Sequence, residues 1–176
     1  MQGKIRVAFL IGDYPAEERL RREKVALSYA NNDIEVGIIS VNTTAYNRGN
    51  SPAELQLVVP AFIDGFRQAE AEGYHAAVPL GTLDLAVDAA RSVVDIPIIG
   101  PAEAMLHIAS FLGNRFGVLV YSETSLVLCR RIVKQYDMTS KIVGWKKSGF
   151  HLPDIIGNRD QFLQNFVAHA RELVDE

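Results

Sequence analysis

The sequence predicts an α/β protein built on parallel β-sheets, and three observations support this fold class. The run Ile5–Ile11 is apolar with one exception and rich in branched residues, as in strands covered on both faces. Residues 74–120 alternate strand-like and helix-like segments with few residues between them, as in repeated βα units. The turn at residues 80–84 lies where a buried strand gives way to a helix, which is where open α/β sheets place their ligands.

The first 73 residues predict two strands, each followed by a helix. Pro15 suits a first helical position, and the helix that it begins extends to about residue 30. A second strand is expected at residues 34–41 and a polar loop at residues 42–50. Ser51 and Glu54 have the spacing of a capping box, and the helix after them carries an apolar stripe that includes Phe62 and Phe66.

The same βα alternation continues to the end of the sequence. The last helix is expected to begin at Asn158, a good capping residue, and its Phe162 and Phe166 are interpreted as a core stripe. The predicted strands are residues 76–80, 96–99, 115–120 and 141–146, and the predicted helices are residues 83–94, 101–113 and 123–136.

A weak internal repeat relates residues 115–176 to residues 6–72. Each copy has an Arg-Arg pair in the second half of its first helix and a Val-Gly pair in its second strand. We therefore expect two similar parallel-sheet α/β domains with a cleft between them, at residues 1–113 and 114–176. The second domain is expected to be incomplete, because it ends before the strand that would match residues 76–80.

Composition excludes several classes of protein. The 176 residues are 48% hydrophobic and 22% charged, which suits one or two small globular units. A net charge of −3 with scattered basic residues gives no nucleic-acid surface. The opening run KIRVAFLI is too short to span a bilayer and has no cleavage site for a signal peptide. We expect a cytoplasmic protein with neither a nucleic-acid nor a membrane partner.

Few residues are candidates for thiol or metal chemistry. Cys129 is the only cysteine, and its place in the middle of a predicted helix favours a buried structural thiol. The four histidines are widely separated, so no metal site is expected. Glu103 and His107 lie one helical turn apart, which is typical of a helix-face pair and, as an alternative, of a pair that tunes a base.

Residues 76–120 resemble the aspartate/glutamate/hydantoin racemase superfamily, and the resemblance is carried by Asp-Ala-Ala-Arg at 88–91, Asp-Ile-Pro-Ile-Ile-Gly at 95–100 and Pro-Ala-Glu-Ala-Met-Leu-His at 101–107. The resemblance implies two similar α/β domains, each with a cysteine at the end of its third strand, facing each other across a cleft. It also implies deprotonation and reprotonation beside a carbonyl or carboxylate without a cofactor, and a possible homo-oligomer.

The sequence departs from that family pattern at the thiols. The first family cysteine aligns with Gly81, and the second would lie beyond Glu176, in a longer native chain. Gly81-Thr82 resembles the arylmalonate-decarboxylase-like members, which have Gly-Thr there and one cysteine in the other half. A single base protonates from one face only, so two-thiol racemisation is not expected from this chain.

Proton removal beside a carboxylate creates an enediolate, which requires hydrogen-bond donors and a base with a pKa near neutrality. From the strand-end positions and the resemblance, we expect Thr82 and Tyr121 to be catalytic, as donors to this oxyanion together with the backbone of Gly81. The structural alternative for Thr82 is a helix cap.

Further substrate-binding candidates flank these residues. Ser122 and Thr124 follow Tyr121, and the alternative for this loop is that it caps the next helix. Gly12 and Asp13 follow the first strand, where the resemblance implies a carboxylate-binding turn, although the charge of Asp13 would repel a carboxylate.

The predicted function is an isomerase of the racemase type that transfers a proton at the α-carbon of a small carboxylate or hydantoin-like compound. One alternative is an arylmalonate-type decarboxylase that uses one thiol, and another is a non-catalytic protein that binds small acids.

Overall fold

The computed structural model of the protein describes residues 3–42, 51–150 and 154–175. Its contacts divide the chain into two compact units, Met1–Glu103 and Ala104–Glu176. This boundary falls inside a helix, whereas the division expected from the sequence follows that helix; the expected division stays a prediction. From residue 43 onward, the loop predicted at residues 42–50 lies outside the described residues.

The first unit contains a three-stranded parallel sheet in the order β2-β1-β3, which confirms the predicted fold class. Its elements are β1 (Ile5–Ile11), α1 (Ala16–Leu27), β2 (Ile34–Ser40), α2 (Pro52–Ala71), β3 (Ala76–Pro79), α3 (Val87–Ala90) and the start of α4 (Pro101–Leu112).

Helix α2 forms as its sequence predicts. The Ser51 hydroxyl accepts a 3.1 Å hydrogen bond from the Glu54 amide, and the Glu54 carboxylate accepts one of 2.9 Å from the Ser51 amide. The apolar stripe of the helix is buried at Phe62 and Phe66, in one cluster with Leu10 of the central strand. The core of the first unit therefore lies between α2 and the sheet.

The helix predicted over residues 83–94 is wrong for most of its length. Only α3, four residues long, is helical. The cause lies just before it, where Asp84 and Ala86 adopt left-handed conformations with φ of 47° and 60°. An α-helix requires negative φ at every residue, so it begins only after Ala86.

The strand predicted at residues 96–99 is also wrong. The segment joins the sheet by a single parallel bridge between Ala77 and Ile98, made by two backbone hydrogen bonds of 3.0 Å. No second bridge forms within residues 96–99, and Pro101 begins α4.

Gly37 of β2 allows Tyr74 to pack against the sheet, and we expect Gly37→Ala to destabilise the protein. A β-carbon at position 37 would lie 1.9 Å from the Tyr74 hydroxyl oxygen, and Tyr74 is buried beneath the guanidinium of Arg6. Overpacking of this kind costs about 1–3 kcal/mol in the free energy of unfolding, which urea titration measures. Gly37→Ala should cost less in a Tyr74→Leu background, which lacks the hydroxyl and the ring carbons that a β-carbon would meet at 2.6 and 2.7 Å. An equal cost in both backgrounds would contradict this explanation.

The second unit pairs two parallel strands and has the same strand-helix-strand-helix order as the beginning of the first. Its core includes Leu106, Val133 and Met138, and α6 packs so closely on β4 that a β-carbon at Gly117 would lie 2.8 Å from Leu173. Its elements are the remainder of α4, β4 (Phe116–Val120), α5 (Glu123–Gln135), a 3-10 turn (Thr139–Lys141), β5 (Ile142–Lys147), a second 3-10 turn (Ile156–Asn158) and α6 (Arg159–Asp175).

Asn158 is not the side-chain cap that we expected for the last helix. It lies in the 3-10 turn that runs directly into α6, and its side-chain amide donates a 2.9 Å hydrogen bond to the carbonyl of Asp154. The backbone of this turn continues into the helix, so the chain makes no extended N-cap conformation there.

Candidate active site

The three strands of the first unit end at one edge of the sheet, and that edge carries four of the predicted site residues. Backbone hydrogen bonds of 2.8 Å join Val41 to Ile11 and Leu80 to Leu10 there. Since the strands are parallel neighbours, the residues that directly follow each of them begin at this edge. The predicted site residues on the loops that follow are Gly12 and Asp13 after β1 and Gly81 and Thr82 after β3.

The conformation at Gly81 favours glycine. Its φ is 135°, in a region that residues with a side chain rarely adopt. A β-carbon built there meets no described atom within 4 Å, so space does not exclude a larger residue. A cysteine at this position would fit but would strain the backbone.

Thr82 is exposed in the turn that follows. The helix-cap alternative is wrong for it, because α3 begins at Val87 with Ala86 at the N-cap position. The Thr82 hydroxyl therefore has no capping role in the next helix. Its role as a donor to substrate stays a prediction.

Asp84 was missed by the sequence analysis as a functional candidate. Its carboxylate accepts hydrogen bonds from the amides of Ala102 and Glu103, in the first turn of α4. The available signal was weak: an aspartate after a strand, with a Gly-Pro pair ahead at the start of the next long helix. Nothing in the sequence indicates that the aspartate contacts the helix that begins at this Gly-Pro pair.

In the second unit, the loop after β4 is fixed by residues that follow β5. The carbonyl of Tyr121 accepts hydrogen bonds from the Ser148 hydroxyl at 3.0 Å and the Gly149 amide at 3.1 Å. Ser148 is buried, and its own carbonyl accepts from the Asn165 side chain of α6 at 3.0 Å. Neither Ser148 nor Asn165 was predicted from the sequence.

Ser122 is the N-cap of α5. Its side chain is buried and accepts from the Ser125 amide at 3.4 Å. Thr124 lies in the first turn and is half-buried. Glu123, beside it, is hydrogen-bonded by the ammonium of Lys147, which lowers the pKa of the Glu123 carboxyl. Capping occupies the Ser122 hydroxyl, whereas substrate binding by Ser122 and Thr124 stays a prediction.

Tyr121 belongs to an aromatic cluster. Its ring centroid is 5.9 Å from that of Phe162 and 6.2 Å from that of Phe166, and Phe150 meets Phe162 edge-on at 6.1 Å. Tyr121 remains 37% exposed, and Phe162 and Phe166 are only half-buried. The interpretation of these two phenylalanines as a core stripe is therefore incomplete, since they are partly exposed and their rings also pack against the predicted catalytic tyrosine.

The carboxylate of Glu103 does not form a pair with His107. It accepts a hydrogen bond of 2.6 Å from Arg91, whose guanidinium also donates to the carbonyl of Ile98 at 2.9 and 3.2 Å. His107 is exposed on α4. The alternative in which Glu103 tunes a histidine base therefore receives no support.

Cys129 lies within α5 and is half-buried, and burial raises the pKa of its thiol. We expect iodoacetamide to alkylate it several-fold more slowly in the folded protein than in urea, because the thiolate is the nucleophile. Because folding favours the thiol form, this contribution to stability is fully present below the unfolded pKa of about 8.5 and is lost as the pH rises through the higher pKa of the folded state. Equal rates in the folded and unfolded protein would contradict this.

The described residues were compared with the requirements of a metal site and of a membrane-spanning helix. Across the described ranges, no cluster of three or more histidine, cysteine or acidic side chains is arranged to hold a metal ion. Within the same ranges, no helix has the length and apolar character that crossing a bilayer requires.

Comparison with known proteins gives both sequence and structural relatives. The chain is 24% identical over 160 residues to a hydantoin racemase of Pseudomonas sp. (strain NS671), covering 88% of this chain and 61% of that protein, and 29% identical over 101 residues to one of Rhizobium meliloti, covering 54% and 42%. It therefore spans less than two thirds of the length of these relatives.

The fold matches solved racemase structures. An allantoin racemase from Klebsiella pneumoniae superposes with a TM-score of 0.82 at 15% identity, over 97% of this chain and 71% of that one. The allantoin racemase of Pseudomonas fluorescens gives the same TM-score at 16% identity, covering 97% and 72%. The family model for Asp/Glu/Hydantoin racemase matches residues 28–176. The chain belongs to the Asp/Glu/Hydantoin racemase family.

Proposed function

We propose that the protein is a racemase-type enzyme that removes and returns a proton at the α-carbon of a small hydantoin-like or carboxylate compound, without a cofactor. Family membership supports the reaction class. The names of the relatives, hydantoin racemase and allantoin racemase, support a substrate that contains a hydantoin ring. Such a ring has a carbonyl beside the carbon that loses its proton, so the negative charge develops on oxygen. We assign the base that takes up this proton and returns it to the cysteine that the family resemblance places at the end of the third strand of the second domain.

The single observation that supports the proposal most directly is the sheet edge of the first unit. Three parallel strands end there, and the loop after β3 places Gly81 and an exposed Thr82 at it. We assign to the Thr82 hydroxyl and to the backbone amides of Gly81 and Thr82 the stabilisation of the developing oxyanion. Gly12 and Asp13 lie on the adjacent loop after β1, and we assign them to substrate binding.

The second unit offers a similar set of donors. The loop after β4 carries Tyr121, which is 37% exposed, Ser122 caps α5 and Thr124 lies in the first turn of that helix. Helix N-termini favour negative charge, since their first amides have no partner within the helix. We propose that Tyr121 is the donor in this unit and that the α5 turn assists it.

Exchange of the α-proton tests the proposal. An enantiopure 5-substituted hydantoin in D₂O is followed by proton NMR for loss of the α-proton signal, with a protein-free sample as the blank. Circular dichroism of the same samples distinguishes racemisation from exchange that retains the configuration. Exchange above the blank that saturates with substrate is expected. No acceleration with hydantoins or with small α-amino or α-aryl carboxylates would overturn the proposal.

A second candidate, decarboxylation of an arylmalonate, is favoured by the glycine conformation at Gly81. A φ of 135° suits Gly-Thr better than Cys-Thr, and Gly-Thr is the pairing of the decarboxylase-like members. Release of CO₂ from phenylmalonate, without exchange in hydantoins, would select this reaction. Saturable binding of these acids with neither reaction would instead indicate a non-catalytic small-acid binding protein.

A further inference from the structure

We propose that Asp84 is a positioning residue that fixes the loop carrying Gly81 and Thr82. We also propose that the lack of a side chain at Gly100 leaves the space that the Asp84 carboxylate needs. The inference rests on the proposed function for its catalytic consequence. Its structural half concerns the first unit alone, in which all the residues involved are described.

The carboxylate of Asp84 holds the first turn of α4 with both oxygens. Oδ1 accepts from the Ala102 amide at 2.7 Å, and Oδ2 accepts from the Glu103 amide at 3.0 Å. First-turn amides have no acceptor within their own helix, and a negative charge is favoured there by the helix dipole. Asp84 therefore joins the loop after β3 to the start of a helix that begins seventeen positions later in the sequence.

The backbone at Asp84 and Ala86 has positive φ, a conformation that must be held by its surroundings. Asp84 has φ of 47°, a conformation that aspartate tolerates better than most residues. Ala86 has φ of 60°, which alanine does not favour by itself. The surroundings must hold this segment in place, and they include the bonds to α4 and the core against which Leu85 and Ala86 pack.

Gly100 leaves the space that the carboxylate occupies. A β-carbon at this position would lie 2.8 Å from Oδ2 of Asp84 and 2.9 Å from its Cγ. The carboxylate is short and bonded through both oxygens, so it has little freedom to move away. A side chain at position 100 would displace Asp84 from the helix.

Arg91, at the end of α3, makes a second connection to the start of α4. The guanidinium of Arg91 bonds the carbonyl of Ile98 and the carboxylate of Glu103. Because the start of α4 is held in this second way, it provides a fixed support against which Asp84 can set the loop.

The three residues between Leu80 and Asp84 are held at both ends. On one side, the Leu80 amide is bonded to Leu10 in the sheet at 2.8 Å. On the other side is Asp84. Gly81, Thr82 and residue 83 span the interval, so the direction of the Thr82 hydroxyl and of the amides beside it depends on Asp84. A displacement of about 1 Å in a catalytic group can cost about 100-fold in rate.

The experiment compares Asp84→Ala, Asp84→Asn and Gly100→Ala with Ser51→Ala, which removes a helix cap in the same unit but not at the proposed site. All are assayed as folded protein, well below the melting temperature of the least stable variant. We expect kcat for α-proton exchange to fall about 100-fold in Asp84→Ala, with little change in KM. Gly100→Ala should reproduce the fall, Asp84→Asn, which keeps one acceptor oxygen, should recover part of it, and Ser51→Ala should match the wild type.

Three results would overturn the proposal. Full activity in both Asp84→Ala and Gly100→Ala would show that the loop does not depend on the contact. A loss in Ser51→Ala as large as in Asp84→Ala would show a general effect of stability. Equal inactivity of Asp84→Asn and Asp84→Ala would show that the carboxylate acts chemically, as an acid or base, instead of as a support.

Amide NMR separates this inference from the proposed function. In Asp84→Ala, hydrogen exchange at the amides of Ala102 and Glu103 should accelerate, and the amide shifts of Gly81 and Thr82 should move, whereas Ser51→Ala should leave them unchanged. If the wild type does not catalyse exchange of the substrate α-proton, the proposed function fails. The amide chemical shifts of Gly81 and Thr82 still decide whether Asp84 positions the loop. Unchanged shifts at Gly81 and Thr82 in Asp84→Ala would overturn it.

Discussion

Replacing Thr82 with valine is expected to lower kcat/KM for α-proton exchange by about 10²–10³-fold, the usual effect of deleting one donor to a developing oxyanion. Valine keeps the branched shape of threonine and removes only the hydroxyl. The Thr82 side chain is exposed and does not cap α3, so the free energy of unfolding should change by less than about 0.5 kcal/mol. The kinetic effect would then be a loss of transition-state stabilisation and not of folded protein.

The matched control is Thr139→Val. Thr139 is also exposed and begins a 3-10 turn in the second unit, with no place in either site loop. Kinetics of deuterium exchange and urea unfolding are measured on both variants under the same conditions. An unchanged kcat/KM in Thr82→Val, or an equal loss in both variants, would contradict the assignment of Thr82.

Replacing Phe66 with alanine is expected to lower the free energy of unfolding by about 3–5 kcal/mol. Phe66 has no exposed surface and lies in the cluster that joins α2 to the sheet of the first unit. Alanine would leave a cavity that the close-packed surroundings fill only in part. The loss of buried apolar surface and the cavity itself both lower the free energy of unfolding. Urea unfolding followed by circular dichroism measures the change.

Leu57→Ala is the control for this prediction, because Leu57 lies on the same helix and is 61% exposed. Its effect should stay within about 0.5 kcal/mol. A loss below about 1 kcal/mol in Phe66→Ala would show that α2 does not hold the core in the way described. The substitution also tests the site indirectly, since the sheet under this core carries the loops at Gly12 and Gly81.

Much of the fold was predictable because its signals are local. The limits of β1 follow from one apolar run, and the start of α2 follows from the reciprocal bonds of Ser51 and Glu54, three residues apart. The parallel arrangement followed from the alternation of strands and helices. Each of these depends on neighbours in sequence, whose propensities and spacing are visible without coordinates.

The segment between β3 and α4 was not predictable in the same way. The apolar and small residues of the predicted third helix suit a helix, yet Asp84 and Ala86 adopt left-handed conformations. The carboxylate of Asp84 bonds amides eighteen and nineteen residues away. A contact at that separation leaves no periodic pattern, so local propensity gave a longer helix than the one that forms.

In the candidate site, too, the sequence showed the positions of the loops but not the groups that hold them. The position of Gly81 and Thr82 after a buried strand was visible in the sequence, and so was the loop of Tyr121. The groups that hold these loops were not visible, because Ser148, whose hydroxyl reaches the Tyr121 carbonyl, follows β5 and lies 27 residues later in the sequence. The aromatic neighbours of Tyr121 on α6 were interpreted only as core, since periodicity shows that residues share a face but not what lies opposite.

The sequence by itself determined the α/β class, the limits of most strands and helices, and the glycine-threonine turn at the end of β3. Those features depend on composition, spacing and turn chemistry within a few residues. Only the tertiary structure decided the conformation of that turn and which groups hold it. The physical reason is that a carboxylate, a hydroxyl or an aromatic ring fixes a loop through a partner whose proximity is created by folding itself.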